Sequence, residues 1–167
     1  IVIVSVSPGL TTLLPVIGKT APDFALPSTS GETVTLRQFK GKKTVVLYFY
    51  PNDETPGCTK EACGFRDVSA EFEAVGVVIL GVSTDSMESH LKFKARHRLP
   101  FDLLSDPESA TCKAYGVWKQ KNVSGKKFMG IERTTFVIDK TGRIAQIYPK
   151  AKVEGHVADV LAFLTEE

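Results

Sequence analysis

The chain has 167 residues, of which 43% are hydrophobic and 24% are charged. A chain of this length can fold as one domain without disulfides or metal ions, because it buries about two thirds of its unfolded surface. Its 21 basic and 19 acidic residues leave a formal charge of +2, which argues against a nucleic-acid-binding face. Three cysteines at irregular positions do not form a disulfide framework, so they favour a reducing compartment and a cytoplasmic location.

The first stretch, IVIVSVSPGLTTLLPVIG, is apolar enough to suggest a signal peptide or a membrane anchor. It lacks a basic start, however, and two serines, a proline and a glycine interrupt it between positions 5 and 9. We therefore expect residues 1–17 to form a loose or docked tail and residues 18–167 to form the domain. Elsewhere the longest apolar run, residues 74–82, is about half of the ~20 residues that a membrane-spanning helix needs.

The first elements in chain order are a hairpin, a strand and a helix. FALPSTSGETVTLRQF contains a Ser30-Gly31 turn and predicts an accessory hairpin. TVVLYFY, residues 44–50, is a continuous β-branched and aromatic run that predicts a strand buried on both faces. A helix is predicted from about Thr59 to Gly76, where the glycine ends it. Its apolar stripe consists of Ala62, Phe65, Phe72 and Val75.

VVILGVS, residues 77–83, predicts a second buried strand, and a second helix follows it. The candidate caps of that helix are Ser83, Thr84 and Asp85, its apolar positions are Met87, Leu91 and Phe93, and Pro100 lies beyond its end. After a short helix, residues 134–139 and 143–149 predict a hairpin, and VADVLAFL predicts a final helix. The β-α-β-α alternation implies a parallel sheet. We predict an α/β fold, a thioredoxin-like three-layer sandwich with an N-terminal β-hairpin extension.

Cys58 follows the first buried strand and comes directly after Pro56 and Gly57, where a helix is about to start. The free amides and the dipole of a helix start favour a thiolate over a thiol. The carboxyl edge of a parallel sheet is also where such folds bind ligands. We therefore interpret Cys58 as a functional cysteine rather than as an inert buried one.

Cys63 lies five residues after Cys58. On an intact helix that spacing separates the two Cα atoms by about 8.7 Å, whereas a disulfide tolerates less than ~7 Å. A permanent bridge is therefore improbable, and a transient one requires the start of the helix to unwind. Zinc is not expected either, because the other candidate ligands are scattered: Cys112, His90, His97 and His156.

Three further residues receive structural interpretations. Cys112 lies among small and aromatic residues in SATCKAYGVW, so we interpret it as a small core residue. Trp118 is interpreted as core packing. Glu61 is interpreted as an ordinary acid in the first helical turn.

The stretch FYPNDETPGCTKEACGFRD, with its spacing Pro51-x-x-x-Thr55-x-x-Cys58, resembles the active site of peroxiredoxins, and most closely that of the bacterioferritin-comigratory or Q-type subfamily. APDFALPS, LPFDLLSD and IERTTFVID are similar to the same subfamily, so the resemblance extends from about Gly18 to Leu164. The first seventeen residues fall outside it.

The resemblance implies a thiol peroxidase that reduces hydrogen peroxide and organic hydroperoxides. Cys58 would be the peroxidatic cysteine and Cys63 the resolving one, joined in an intramolecular disulfide that thioredoxin or a similar dithiol reduces. Substrate would bind at Pro51, Thr55, Gly57, Cys58 and Arg133. The resemblance further implies a monomer without metal, haem or other cofactor.

Elementary chemistry indicates why several residues are needed. Raising the ionised fraction of a thiol from a few per cent to nearly all accelerates its reaction only about 30-fold, or ~2 kcal/mol. The larger share must come from donors that stabilise charge on the leaving oxygen: the Thr55 hydroxyl, the Cys58 amide and the guanidinium of Arg133.

Two other functions remain open. The same fold supports a thiol-disulfide oxidoreductase, although such enzymes carry C-x-x-C, whereas here the spacing is C-x4-C. A binding protein or holdase could use helix unwinding as a redox switch. An assay of peroxide turnover with thioredoxin and its reductase distinguishes these two functions from a thiol peroxidase.

Overall fold

The computed structural model describes residues 15–166. Nine strands occur in this part of the chain: β1 (Ala25–Pro27), β2 (Thr33–Thr35), β3 (Thr44–Phe49), β4 (Val77–Ser83), β5 (Asp102–Ser105), β6 (Trp118–Val123), β7 (Lys126–Ile131), β8 (Thr134–Ile138) and β9 (Ile144–Tyr148). Five α-helices accompany them: α1 (Pro56–Asp67), α2 (Ser69–Ala74), α3 (Met87–His97), α4 (Ala110–Ala114) and α5 (His156–Thr165). None of these helices combines the length and apolar character that crossing a membrane requires.

Five strands form the central sheet in the order β9-β8-β3-β4-β5. β3, β4 and β5 are parallel, which confirms the βαβ prediction for this half. β8 and β9 are antiparallel and form the predicted late hairpin, so the whole sheet is mixed. The N-terminal hairpin is confirmed as the antiparallel pair β1–β2.

β3 supplies both layers of the core because successive side chains of a strand point to opposite faces. Val45, Leu47 and Phe49 enter a cluster with the β1–β2 hairpin, α4 and the residues around Tyr115. Val46, Tyr48 and Tyr50 enter a second cluster with α1, α2, α3 and α5. These two clusters on either side of the sheet make the three layers that the sequence predicted.

The helix predicted after β3 is divided in two. α1 starts at Pro56, three residues earlier than predicted. Proline suits the first position of a helix because the backbone N–H there has no partner within the helix, so its absence costs no hydrogen bond. Val68 leaves helical geometry between α1 and α2. Val75 is 43% exposed and does not belong to an apolar stripe, whereas Gly76 ends the segment as predicted, with φ of +76°.

The helix predicted after β4 is α3, but its cap is Ser86 rather than Ser83, Thr84 or Asp85. The Ser86 hydroxyl accepts a hydrogen bond from the amide of Ser89. Leu91, assigned to the apolar face, is 48% exposed. The buried face instead includes His90 and Phe93, so a histidine occupies a core position.

Two strand regions were not predicted. β5 has four residues, too few to display a period. β6 and β7 pair only with each other, as an antiparallel ribbon outside the central sheet. Since most of their side chains are exposed, these strands lack the apolar alternation that marks a strand against a core.

The predicted tail, residues 1–17, lies mostly outside the described residues. Gly18 donates its backbone N–H to Ile144, and Ile144 donates in return to Lys19. From Gly18 onward the chain is therefore attached to the first residue of β9.

Candidate active site

The candidate site lies where β3 ends and α1 begins. Thr55 is the N-cap residue of α1, and its carbonyl accepts the first helical hydrogen bond from Thr59 at 2.8 Å. Cys58 occupies the third helical position, so its amide is among those that the helix leaves free. Its side chain is only 1% exposed. The thiol is therefore buried at the positive end of the helix dipole.

Arg133 places a positive charge beside this sulfur. It lies between β7 and β8, and its Nη2 donates to Cys58 Sγ over 3.3 Å. The other arm of the guanidinium, Nη1, donates to the Oε1 atom of Glu61. The rigid fork thus spans a carboxylate and a sulfur, which fixes its orientation.

Gly57 makes room for the guanidinium. A Cβ atom at this position would lie 3.2 Å from Arg133 Nη2 and 3.6 Å from Val153 Cγ2. A side chain here would therefore press on the group that contacts Cys58, which gives this glycine a steric role at the site.

The interpretation of Glu61 as an ordinary first-turn acid is wrong. Its side chain is buried, and burial raises its pKa to about 7, although the charge and hydrogen bond of Arg133 act in the opposite direction. Among the described residues, its Oε2 atom has no hydrogen-bond partner. Nε2 of His156 lies 3.8 Å from that atom. This role depends on packing between distant segments, so the sequence carried no signal for it.

His156 closes this buried cluster from α5. Its Nε2 lies 2.7 Å from the hydroxyl of Thr135 in β8. Burial is the main cause that lowers the pKa of His156; the charge of Asp159 opposes this shift, and the charge of Arg133 adds to it. The sequence suggested this histidine only as a candidate metal ligand, whereas it packs next to the Glu61–Arg133 pair.

The two cysteines of α1 are unbonded in the structure. The helix continues through both positions, in agreement with the expectation that no permanent bridge joins the two thiols. Cys58 is buried and Cys63 is half-buried. Cys63 borders a groove between α1 and α5, together with Gly64, Val157 and Leu161.

Pro51 and Thr55 lie in the loop between β3 and α1, and both are half-buried. The Thr55 hydroxyl donates to the carbonyl of Asn52 at 3.0 Å. The structure thus brings Thr55 to the mouth of the helix that carries Cys58, and a contact of its hydroxyl with substrate remains a prediction.

A buried polar cluster that the sequence analysis missed holds this loop in place. The carboxylate of Asp53 accepts hydrogen bonds from Tyr50 and Ser89, each at 2.7 Å, and pairs with Nδ1 of His90 at 2.8 Å. The Asp53 amide donates to Asp85 at 2.7 Å. Burial alone would raise the pKa of Asp53, but the hydrogen bonds from His90, Tyr50 and Ser89 bring it below its usual value.

Asp53, Asp85 and His90 also bring three potential metal-ligand atoms within 4.8 Å of one another. Nδ1 of His90 and Oδ2 of Asp53 are already paired with each other, and the oxygen of Asp85 accepts from Ser83 as well as from Asp53. We therefore assign this cluster to anchoring the loop rather than to a metal.

Lys121 of β6 is a second residue that the sequence analysis missed. Burial and the charge of Arg133 lower its pKa, while the charges of Cys58 and Glu132 act in the opposite direction. The ammonium group is thus close enough to the site to be influenced by both Arg133 and Cys58. The β6–β7 ribbon thus carries a second cation whose charge is coupled to those of Arg133 and Cys58.

Cys112 is a buried core residue, as predicted. Burial is the main cause that raises the pKa of its thiol, and the nearby carboxylate of Asp106 raises it further. The same carboxylate accepts a hydrogen bond from the Cys112 amide at 2.8 Å. This thiol is therefore held in its neutral form.

A buried cysteine at a helix start, paired with an arginine on a thioredoxin-like sandwich, defines a thiol-based redox enzyme. Residues 17–147 match the AhpC/TSA family. A putative peroxiredoxin bcp of Coxiella burnetii is 55% identical over 148 residues, which cover 89% of this chain and 97% of the relative. Peroxiredoxin Bcp of Bacillus subtilis is 53% identical, with coverage of 90% and 95%. The chain therefore belongs to the AhpC/TSA family of peroxiredoxins, and its activity is that of a thiol peroxidase.

Solved structures agree with this assignment. Peroxiredoxin Q of Xanthomonas campestris superposes with a TM-score of 0.83 at 43% sequence identity, covering 89% of this chain and 96% of that one. A variant of Xylella fastidiosa PrxQ gives a TM-score of 0.85 at 37% identity, with coverage of 90% and 95%. The thioredoxin-like fold is thus confirmed over most of the chain.

Proposed function

We propose that this thiol peroxidase reduces hydrogen peroxide and organic hydroperoxides with Cys58 as peroxidatic and Cys63 as resolving cysteine. The observation that carries the proposal is the contact between Arg133 and the Cys58 sulfur at the start of α1. A structure of the Xanthomonas campestris bacterioferritin comigratory protein concerns its alkyl peroxide reduction activity, which supports organic hydroperoxides as substrates here.

In the first step the Cys58 thiolate attacks the terminal peroxide oxygen. The O–O bond breaks, Cys58 becomes a sulfenic acid, and the leaving oxygen takes up a proton to give water or an alcohol. Arg133 and the Cys58 amide are donors that stabilise charge on that oxygen, and the Thr55 hydroxyl joins them when it turns from the Asn52 carbonyl to the substrate. Pro51 covers the pocket, and Gly57 leaves space for the guanidinium.

In the second step the Cys63 thiolate attacks the sulfur of the sulfenic acid. A disulfide forms, and the hydroxyl leaves as water after it takes up one proton. Since the two Cα atoms are about 8.7 Å apart on an intact helix, the start of α1 must unwind first. The folded helix serves the first step and the unwound segment serves the second.

In the third step a dithiol protein, thioredoxin or one similar to it, donates two electrons through a mixed disulfide and restores both thiols. The partial exposure of Cys63 supports attack by an external thiol in this region. We further propose that the chain acts without a cofactor as a cytoplasmic monomer, with its domain over residues 18–167 and a tail over 1–17. Both required cysteines lie on one chain, so no second copy is needed for the cycle.

A peroxide-consumption assay with thioredoxin, its reductase and NADPH tests the proposal. We expect turnover by the wild type and by Cys112→Ser, and none by Cys58→Ser. Cys63→Ser should perform a single reaction with peroxide and then accumulate sulfenic or over-oxidised Cys58. Disulfide exchange without peroxide turnover would favour a thiol-disulfide oxidoreductase, and neither activity would favour a redox-switched holdase.

Hydrogen exchange tests the unwinding step separately. The amides of residues 59–63, the first of which donates to the Thr55 carbonyl, should be protected in the dithiol form and should lose protection in the disulfide form. Equal protection in both forms would rule out unwinding, and Cys112 or a second chain would then have to be the resolving thiol.

A further inference from the structure

Glu61 lies in the segment that must unwind. It follows Cys58 by three positions and precedes Cys63 by two, within α1. If the disulfide forms as proposed above, on which this inference rests, Glu61 cannot remain where it is. Its side chain must leave a fully buried site for an unwound segment that is exposed to water.

The buried site suits a neutral Glu61 better than an ionised one. The side chain is 1% exposed, one oxygen is bound by Arg133, and the other has no hydrogen-bond partner in the described structure. An ionised carboxylate with a single donor is poorly compensated for its lost hydration. In the unwound segment, water can solvate both oxygens.

Three titratable or charged groups face Glu61 from the surrounding elements, and a fourth lies on its own helix. Arg133, between β7 and β8, is the cation that favours its ionised form. His156 of α5 has a lowered pKa, chiefly through burial, so it does not add a second positive charge near neutral pH. Tyr48 of β3 has a raised pKa, through burial first and then through the charges of Glu61 and Cys58. Cys58, on the same helix, contributes negative charge when it is a thiolate.

We propose that Glu61 is a proton-linked latch on the start of α1. When it is protonated it keeps the helix closed around Cys58. When it ionises it promotes unwinding toward the Cys58–Cys63 disulfide. Glu61 is a positioning residue in this proposal, because it acts through the helix and through Arg133 rather than on the peroxide.

The direction of the pH effect follows from proton binding. In the folded helix the pKa of Glu61 is raised to about 7, against 4.5 for an exposed glutamate. Between these values the folded form binds one more proton than the unwound form, so a rise in pH destabilises the folded helix. The equilibrium should shift toward the disulfide by about tenfold per pH unit, to a total of about 300-fold, and should level off above pH 7.

The test is the equilibrium between the Cys58–Cys63 disulfide and dithiothreitol from pH 5 to 8, in full-length wild type and in Glu61→Gln. Thiol ionisation is followed in parallel by alkylation so that its contribution can be removed. After this correction, the equilibrium constant of the wild type should change by about tenfold per pH unit, or ~30 mV for a two-electron couple. The equilibrium constant of Glu61→Gln should show no such slope. At pH 8 the variant should favour its disulfide up to about 300-fold less than the wild type.

Glu154→Gln is the matched control, because Glu154 also pairs with α1, through Lys60 at 2.8 Å, but is exposed. It should keep the wild-type slope. Arg133→Gln provides a second, independent variant, since it removes the cation that favours ionised Glu61. The pH dependence of the disulfide equilibrium should then continue above pH 7. The loss of peroxidase activity expected in this variant does not matter, because the equilibrium is measured without peroxide turnover.

The outcomes separate the latch from the resolving role of Cys63. Failure of every protein to form a Cys58–Cys63 disulfide would overturn that role and the latch with it. A disulfide that forms normally but shows the same pH slope in wild type and Glu61→Gln would overturn the latch alone.

Discussion

Cys58 and Cys112 are both buried near the start of a helix, yet their surroundings differ in charge. The sulfur of Cys58 accepts from Arg133 at 3.3 Å, and α1 continues for twelve residues. Cys112 lies on the five-residue helix α4, with the carboxylate of Asp106 bound to its amide. One sulfur therefore faces a cation that stabilises its negative charge, whereas the other faces an anion that opposes it. Burial alone does not distinguish a catalytic thiol from an inert one.

The largest effect should come from Arg133→Lys, which keeps the positive charge near Cys58 but loses the planar fork. We expect kcat/KM for peroxide to fall by about 100-fold to 1,000-fold with the fold intact, the scale of one lost transition-state donor. Stopped-flow kinetics measures the rate of the peroxide reaction, and circular dichroism checks that the fold is intact. Arg37→Lys, at an exposed pair with Asp23, is the control. A rate near that of the wild type would remove Arg133 from the site.

Thr55→Val should produce the next effect. The change is nearly isosteric and deletes only the hydroxyl, so we expect a loss of at least tenfold in kcat/KM, about 1.4 kcal/mol of transition-state stabilisation. Thr165→Val, at the end of α5, is a control for the loss of a threonine hydroxyl elsewhere. An unchanged kcat/KM in Thr55→Val would end the proposed contact with the leaving oxygen.

Gly57→Ala changes the geometry around Cys58 without changing any charge. Its Cβ would meet the guanidinium at 3.2 Å, so Arg133 must shift by a few tenths of an ångström. We expect roughly threefold to tenfold slower reaction with peroxide, since small displacements of catalytic groups are costly.

Gly64→Ala is the matched control for Gly57→Ala, because its Cβ would meet Val157 of α5 rather than Arg133. It should leave the peroxide step unchanged. Equal peroxide rates in Gly57→Ala and the wild type would show that the site tolerates the shift.

The smallest effect should come from Asp106→Asn, which removes the anion beside Cys112. Burial is the largest single cause that raises the pKa of this thiol. We therefore expect Cys112 to stay unreactive toward iodoacetamide in the folded protein, with peroxidase activity unchanged. Rapid alkylation of Cys112 in this variant would mean that charge, rather than burial, keeps the thiol inert.

The sequence by itself determined the elements whose signals are local. The β-branched run of β3, the glycine stop after α2 and the turn between β8 and β9 each follow from a few adjacent residues, and all three were predicted. The position of Cys58 at a helix start was also readable, because Pro56 and Gly57 precede it. β6 and β7 were missed because strands that pair only with each other bury too little apolar surface to leave a period.

Only the tertiary structure decided the electrostatics of the site. Arg133 is separated by 75 residues from Cys58 and by 72 from Glu61, yet its two arms reach both. Packing of α1 against the β8 region and α5 buries Glu61, and the resulting loss of hydration raises its pKa. The sequence shows Glu61 only as a glutamate in a first helical turn. Hydration is decided by how distant segments pack around a side chain, so an acid of this kind becomes recognisable only in the folded molecule.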